Sequence, residues 1–154
     1  MMKADETSTQ QTGHYHEIRA ERRLNAPVDR VWFAWSDAEQ LEHWFTDRAD
    51  IDFRVGGRYR NSDGDEGEYL EIVPLQHISF TWEQPDYAPG SVVTVDLVPD
   101  GDNETILRLE HSRVACDDAE DLEIGWTWSL DSLAAFINNG LGLRFEEWVA
   151  MRGM

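Results

Sequence analysis

The sequence predicts an α+β domain in which an antiparallel sheet of about six or seven strands is followed by one long helix. Three observations predict it. From Ala49 to Ser112 the chain is a succession of short β-branched and aromatic runs separated by Gly, Pro and Asp turns. The last third carries Leu122, Trp126, Leu130, Leu133 and Ile137 on one helical stripe, with Phe136 beside it. Strands and long helix occupy separate stretches instead of alternating, which argues against a parallel βαβ sheet.

The elements follow in order. Residues 1–14 are polar and read as a disordered leader. Alternation through Ile18, Ala20, Arg22 and Leu24 marks the first strand; its other face, Glu17, Arg19, Glu21 and Arg23, must meet water, as in an antiparallel or edge strand. Pro27 suits a first helical turn, and Val28, Val31, Trp32 and Trp35 follow at helical spacing. Ser36-Asp37-Ala38-Glu39 has the form of a capping box, so a second short helix carrying Leu41, Trp44 and Phe45 starts there. Ile51–Phe53, Arg58–Asn61, Glu68–Val73, Ile78–Trp82, Val92–Val98 and Thr105–Ser112 are the remaining strands, with turns at 62–65 and 99–102. Asn138-Asn139-Gly140 ends the long helix, and Leu143, Phe145, Trp148 and Val149 support a short further one. The organisation expected is a leader over 1–14, one domain over 15–140 and a helical extension over 141–154.

Charge narrows the partners. The chain has 31 Asp plus Glu against 13 Lys plus Arg, a net charge of −18, so nucleic acid and anionic membranes are repelled. The acids are spread along the chain as solvated faces and turns, and Lys3 is the only lysine. This fits a salt-rich cytoplasm, or a genome that favours Arg codons. The single Cys116 forms no intrachain disulfide, and no apolar run reaches membrane-spanning length, so a cytoplasmic monomer or weak homodimer is expected.

Taken together, APVDRVWFAWSDAEQLEHWF, VGGRYR, GEYLEIVPLQHISFTW, TILRLEHS and GWTWSLDSLAAF resemble, in order and spacing over residues 16–140, the bacterial START-like (SRPBCC) domains related to the C-terminal domain of the activator of heat-shock protein (Hsp) ATPase. The resemblance implies a helix-grip fold: a curved antiparallel sheet around a long C-terminal helix, with an apolar cavity between them. Members bind lipids, sterols, polyketides or aromatic hormones in that cavity, and a few catalyse cyclisation or dehydration. It does not extend to the additional N-terminal domain of the eukaryotic activator.

Strand alternation assigns the expected cavity face. Phe80 and Trp82 point inward with Ile78; Val93 and Val95 with Leu97; Leu107 and Leu109 with His111; Trp126, Leu130 and Leu133 close the cavity from the helix. Phe53, Tyr59 and Tyr69 are further possibilities, and Trp32 or Trp35 reaches the cavity's end. His111 is either a polar group for a ligand or a core histidine satisfied by a backbone carbonyl or a Trp. Glu68 lies either on the solvated face of its strand or inward with Leu70 and Ile72; inward, it and His111 would form an acid/base pair. The expected function is therefore binding of a small apolar ligand. A cyclase or dehydratase using His111 with a carboxylate, and a stress-related or chaperone-linked protein-interaction domain with an exposed patch at Phe145, Trp148 and Met151, are the alternatives.

No cofactor is called for. The stretch from Asn61 has Glu66 where a calcium loop needs glycine and Ile72 where it needs its bidentate Glu, His14 and His16 lack further metal ligands, and Cys116 is flanked by Asp117 and Asp118, which oppose thiolate formation. Gly56-Gly57 precedes no helix and is a strand corner instead of a phosphate cradle.

Overall fold

A computed structural model describes residues 6–12, 15–84 and 89–153. Eight antiparallel strands form one sheet: β1 (Glu6–Thr12), β2 (Tyr15–Leu24), β3 (Ala49–Ile51), β4 (Arg58–Asn61), β5 (Glu66–Val73), β6 (His77–Trp82), β7 (Ser91–Asp100) and β8 (Glu104–Ala115). Their spatial order is β1-β2-β8-β7-β6-β5-β4-β3. Two short helices, α1 (Val28–Ser36) and α2 (Ala38–Trp44), join β2 to β3. The long α3 (Ala119–Asn139) packs across β1 and β2, and α4 (Phe145–Met151) follows it.

The expected disordered leader is in part a strand. Thr-Ser-Thr-Gln-Gln-Thr offers no apolar periodicity, yet the open edge of β2 presents unpaired N–H and C=O groups that a polar strand satisfies as well as an apolar one. The Thr9 hydroxyl also donates to Glu123 of α3. β2 is consequently an interior strand, flanked by β1 and β8.

The inward faces follow alternation where the strands are regular. Ile78, Phe80, Trp82, Val93, Val95, Leu97, Leu107, Leu109 and His111 are all buried. Two irregularities change the count. At Arg113 the backbone takes a positive φ of 62°, which brings Val114 onto the buried face three residues after His111. In β5 the register slips between Tyr69 and Glu71, so Gly67, Tyr69 and Ile72 turn inward while Leu70 is 39% exposed.

Local signals fix the helices, with one correction. The cap of α2 is Asp37, whose carboxylate accepts from the Gln40 N–H at 3.1 Å. Ser36 belongs to α1 and its hydroxyl back-bonds to the Trp32 carbonyl at 2.8 Å. Gly140 ends α3 in the left-handed region at φ 79°, its N–H bonding Phe136 O at 2.7 Å.

Beyond it the chain returns onto the domain. Gly142 N–H donates to His43 O at 3.2 Å, and the Ser132 hydroxyl bridges Trp44 O and Leu143 N–H. Trp148 is 3% exposed, because its indole N–H donates to Asp131 of α3 and Arg152 stacks on its ring. The apolar patch expected at Phe145, Trp148 and Met151 therefore lacks its central residue. Among the described residues no helix is long and apolar enough to cross a membrane.

Candidate functional site

α3 packs on β1 and β2, α1 on β7 and β8, and α2 on the edge strand β3, so β3–β6 form the side of the sheet away from α3. There the aromatic residues accumulate. Tyr59, Tyr69 and Phe80 contact one another at ring separations of 5.3 to 6.1 Å, and Phe53 joins Tyr69 at 5.0 Å. The strands approach closely because residue 67 is glycine: a Cβ there would lie 2.0 Å from Thr81 O and 2.7 Å from the Tyr59 ring. That same Thr81 carbonyl accepts from the Tyr59 hydroxyl at 2.6 Å. Burial raises the pKa of both Tyr59 and Tyr69, so both phenols stay protonated.

Between this cluster and α1–α2 lies an apolar hollow of about 40 Å³, whose lining includes Trp35, Leu41, Phe45, Tyr69, Phe80 and Trp82. It is small, with room for about one water molecule. A second hollow of about 150 Å³ opens toward α3, lined by Phe45, Trp82, Leu122, Trp126 and Trp128, with Asp63 and Asp65 on its border. Burial raises the pKa of Asp65, and a neighbouring Asp63 adds to it. Phe45 and Trp82 line both spaces. Phe45 is half-buried at the end of the short α2 and stacks on Trp126 at 6.0 Å.

His111 sits beside this second space and is fully buried. Trp126, a donor only, gives its indole N–H to Nδ1 at 2.9 Å, which places the ring proton on Nε2, where Ser91 Oγ accepts it at 2.7 Å. Both ring nitrogens are thus engaged. Burial pushes the pKa down to about 3, so the imidazole is neutral at ordinary pH. Trp82 and Trp126 enclose it with ring centroids at 5.4 and 5.9 Å. This is the arrangement of a core histidine satisfied by a tryptophan.

Glu68 does not join it. Its strand neighbours Gly67 and Tyr69 take the buried positions, Glu68 pairs in register with Arg58, and its N–H donates to the Thr81 hydroxyl at 2.8 Å. The inward reading of Glu68 with Leu70 and Ile72 fails because the register slip separates Ile72 from the alternation of its neighbours.

Of the residues expected on the cavity face, Phe80, Trp82 and Trp126 line the two hollows, with Tyr59 and Tyr69 alongside. Val93, Val95, Leu107, Leu109, Leu130 and Leu133 line neither; they are packed core, buried to 2% exposure or less. The residues that alternation could not supply are Leu41, Phe45, Ala49 and Ile51, since they come from α2 and the edge strand β3. Their signal is the aromatic density of 31–45, which reads equally as core packing. His14, of the paired histidines, lies outside the described residues.

Sheet, gripped helix and aromatic interior define a helix-grip α+β domain. The family described as "Activator of Hsp90 ATPase homolog 1-like protein" matches residues 25–138, and the chain belongs to it. Among solved structures, CalU16 from Micromonospora echinospora is similar at 27% identity and a TM-score of 0.80, covering 98% of this chain and 94% of that one. PFC0360w, an HSP90 activator from Plasmodium falciparum, shares the fold at 23% identity and a TM-score of 0.70, covering 81% and 96%. DynU16, a putative protein in the dynemicin biosynthetic locus, shares it at 23% identity and a TM-score of 0.70, covering 82% of this chain and 48% of its own. No match is found among curated proteins.

Proposed function

We propose that this protein is a cytoplasmic binding domain for a small apolar ligand of the lipid, polyketide or aromatic kind, held between β3–β6 and α1–α2. The observation that carries this reading is the pair of ring-lined hollows that share Phe45 and Trp82 in their walls. Apolar walls with a few placed polar groups are the usual form of a small-molecule site. The inner hollow alone is too small for such a ligand, so binding requires Phe45 to turn aside and join the two spaces. Its position at the end of a seven-residue helix makes that a local movement.

An acid/base role for His111 is the weaker reading, because it would require breaking two buried hydrogen bonds and charging a desolvated ring. The binding reading is tested with the neutral fluorophore N-phenyl-1-naphthylamine. Saturable one-site enhancement is expected in the wild type, and Ala49→Phe, which fills the inner hollow from half-buried β3, should weaken it at least tenfold while the circular dichroism spectrum stays native. No saturable binding, or equal binding to the filled variant, would refute the placement.

A further inference from the structure

Beyond Gly140 the returning chain forms one wall of a third space. Between residues 141–147 on one side and the end of α2 with the turn before β5 on the other lies a groove of about 470 Å³. Its wall is held in place. A Cβ at Gly142 would lie 2.5 Å from His43 O and 2.8 Å from Trp44 Cα, so the segment runs directly against α2. The Leu143 carbonyl accepts from the Trp128 indole at 2.9 Å, and Phe145 meets the Trp128 ring edge-on at 5.8 Å. Residues 141–147 lie beyond the stretch 25–138 that the family shares, so this wall is an addition to it.

The groove adjoins the second hollow: Phe45, Asp63 and Trp128 belong to the walls of both, and Phe45 borders the inner hollow as well. The hollows are lined mainly by rings, whereas the groove carries charge. Glu42, Asp47, Asp63, Glu146 and Glu147 stand on its walls, and Arg144 is the one Arg or Lys among the lining residues. Glu42 accepts from the Ala49 N–H at 2.9 Å and Asp63 from the Thr46 hydroxyl at 2.9 Å, neutral donors that leave both charges uncompensated. Among the described residues none of the five acids has a salt-bridge partner. Acids are common over the whole chain, but charge on open surface is screened within about 8 Å at physiological salt, while a concave site with apolar walls concentrates its field.

From this we infer that the groove is the outer compartment of the ligand site and that the ligand is a cationic amphiphile, its apolar body in the hollows and an ammonium head between α2 and residues 141–147. The inference rests on the binding reading above and adds the polar end of the ligand. Trp128 and Phe145 on the same walls are further partners for an ammonium group. A carboxylate, sulfate or phosphate head would meet like charge there, which selects against fatty acids and other anionic lipids of the same apolar shape.

The test compares decylammonium, 1-decanol and decanoate, chains of equal length that differ in head charge, by isothermal titration calorimetry on the full-length protein, each below its micelle concentration. The expected order of affinity is ammonium, alcohol, carboxylate, with decylammonium about tenfold tighter than decanoate or better at low salt and the ratio shrinking as NaCl is raised. Two variants locate the effect. One carrying Asp47→Asn, Glu146→Gln and Glu147→Gln should cut the ratio about threefold or more. The other, carrying Asp102→Asn, Asp117→Asn and Glu120→Gln at exposed residues that line none of the three spaces, should leave it unchanged. Both remove three charges, so the acidity of the chain as a whole affects them alike. If the groove variant fails to fold, Glu146→Gln with Glu147→Gln takes its place. Decanol binding with a ratio near one, tighter decanoate, or the same loss in both variants would overturn the inference and leave the apolar site standing. Binding of none of the three compounds would overturn the apolar-site reading and this inference with it.

Discussion

His111 makes the stability of this fold depend on pH, with a sign that can be worked out. Burial lowers its pKa to about 3, against about 6.5 in the unfolded chain. Between those values the unfolded state binds the proton and the native state does not, so stability rises with pH. The contribution is complete above about pH 6.5 and is lost as the pH falls toward 3, at about 1.4 kcal/mol per unit. From pH 6 to pH 4.5 the loss is about 2 kcal/mol, a large part of the roughly 5 to 15 kcal/mol of an ordinary domain. His111→Gln removes the titration and weakens the bonds to Ser91 and Trp126, which should cost about 1 to 3 kcal/mol at pH 7. Urea unfolding of both proteins from pH 7.5 to 4.5 checks this. The wild type should lose its advantage as the pH falls, the two curves converging near the acid end. Parallel curves would refute the argument, because they would mean that His111 is charged in the native state or titrates alike in both states. His77 works in the opposite direction: its hydrogen bond to Asp96 raises its pKa, so its contribution is present at low pH and lost as the pH rises through the raised value. It cancels in the comparison because both proteins carry it.

Two further outcomes test the packing. Trp44 is 2% exposed, donates to Ala34 O and meets the Trp35 ring at 5.0 Å, so Trp44→Ala should lower the unfolding free energy by about 3 to 5 kcal/mol, read from urea midpoints. Asp131 accepts from Trp148 and faces Arg22 of β2 and Arg152, so Asp131→Ala should cost about 1 to 3 kcal/mol and expose α4 to limited proteolysis earlier than the rest of the chain.

Most of the frame is legible in the sequence because period and turn chemistry are local. The long helix and its Gly140 stop, the hairpin turn at 62–65 and the inward set of β6 to β8 all follow from spacing. The places where that reading fails are places where another element supplies what the local pattern lacks. β1 has no apolar residue and exists because β2 offers an edge. Glu68 would stay in phase with Ile72 if β5 were regular, and one register slip takes that away. Ser36 has the form of a cap, but Asp37 is the residue whose extended backbone and free carboxylate reach the Gln40 N–H.

The candidate site was half visible. Alternation along β6 selected Phe80 and Trp82, and the helical stripe selected Trp126, because each belongs to an element whose buried face is set by its own period. Sequence alone could not tell which inward residues border space and which fill it. Leu130 and Leu133 fill the ground between α3 and the sheet; Trp35, Leu41 and Phe45 border the hollow because two short helices, not α3, cover that side. What the sequence determined by itself was the order of elements, the buried faces and a net charge of −18. Only tertiary structure decided that Trp126 satisfies His111 while Trp35 and Trp82 keep their donors free, since hydrogen-bond satisfaction depends on distances between residues far apart in the chain.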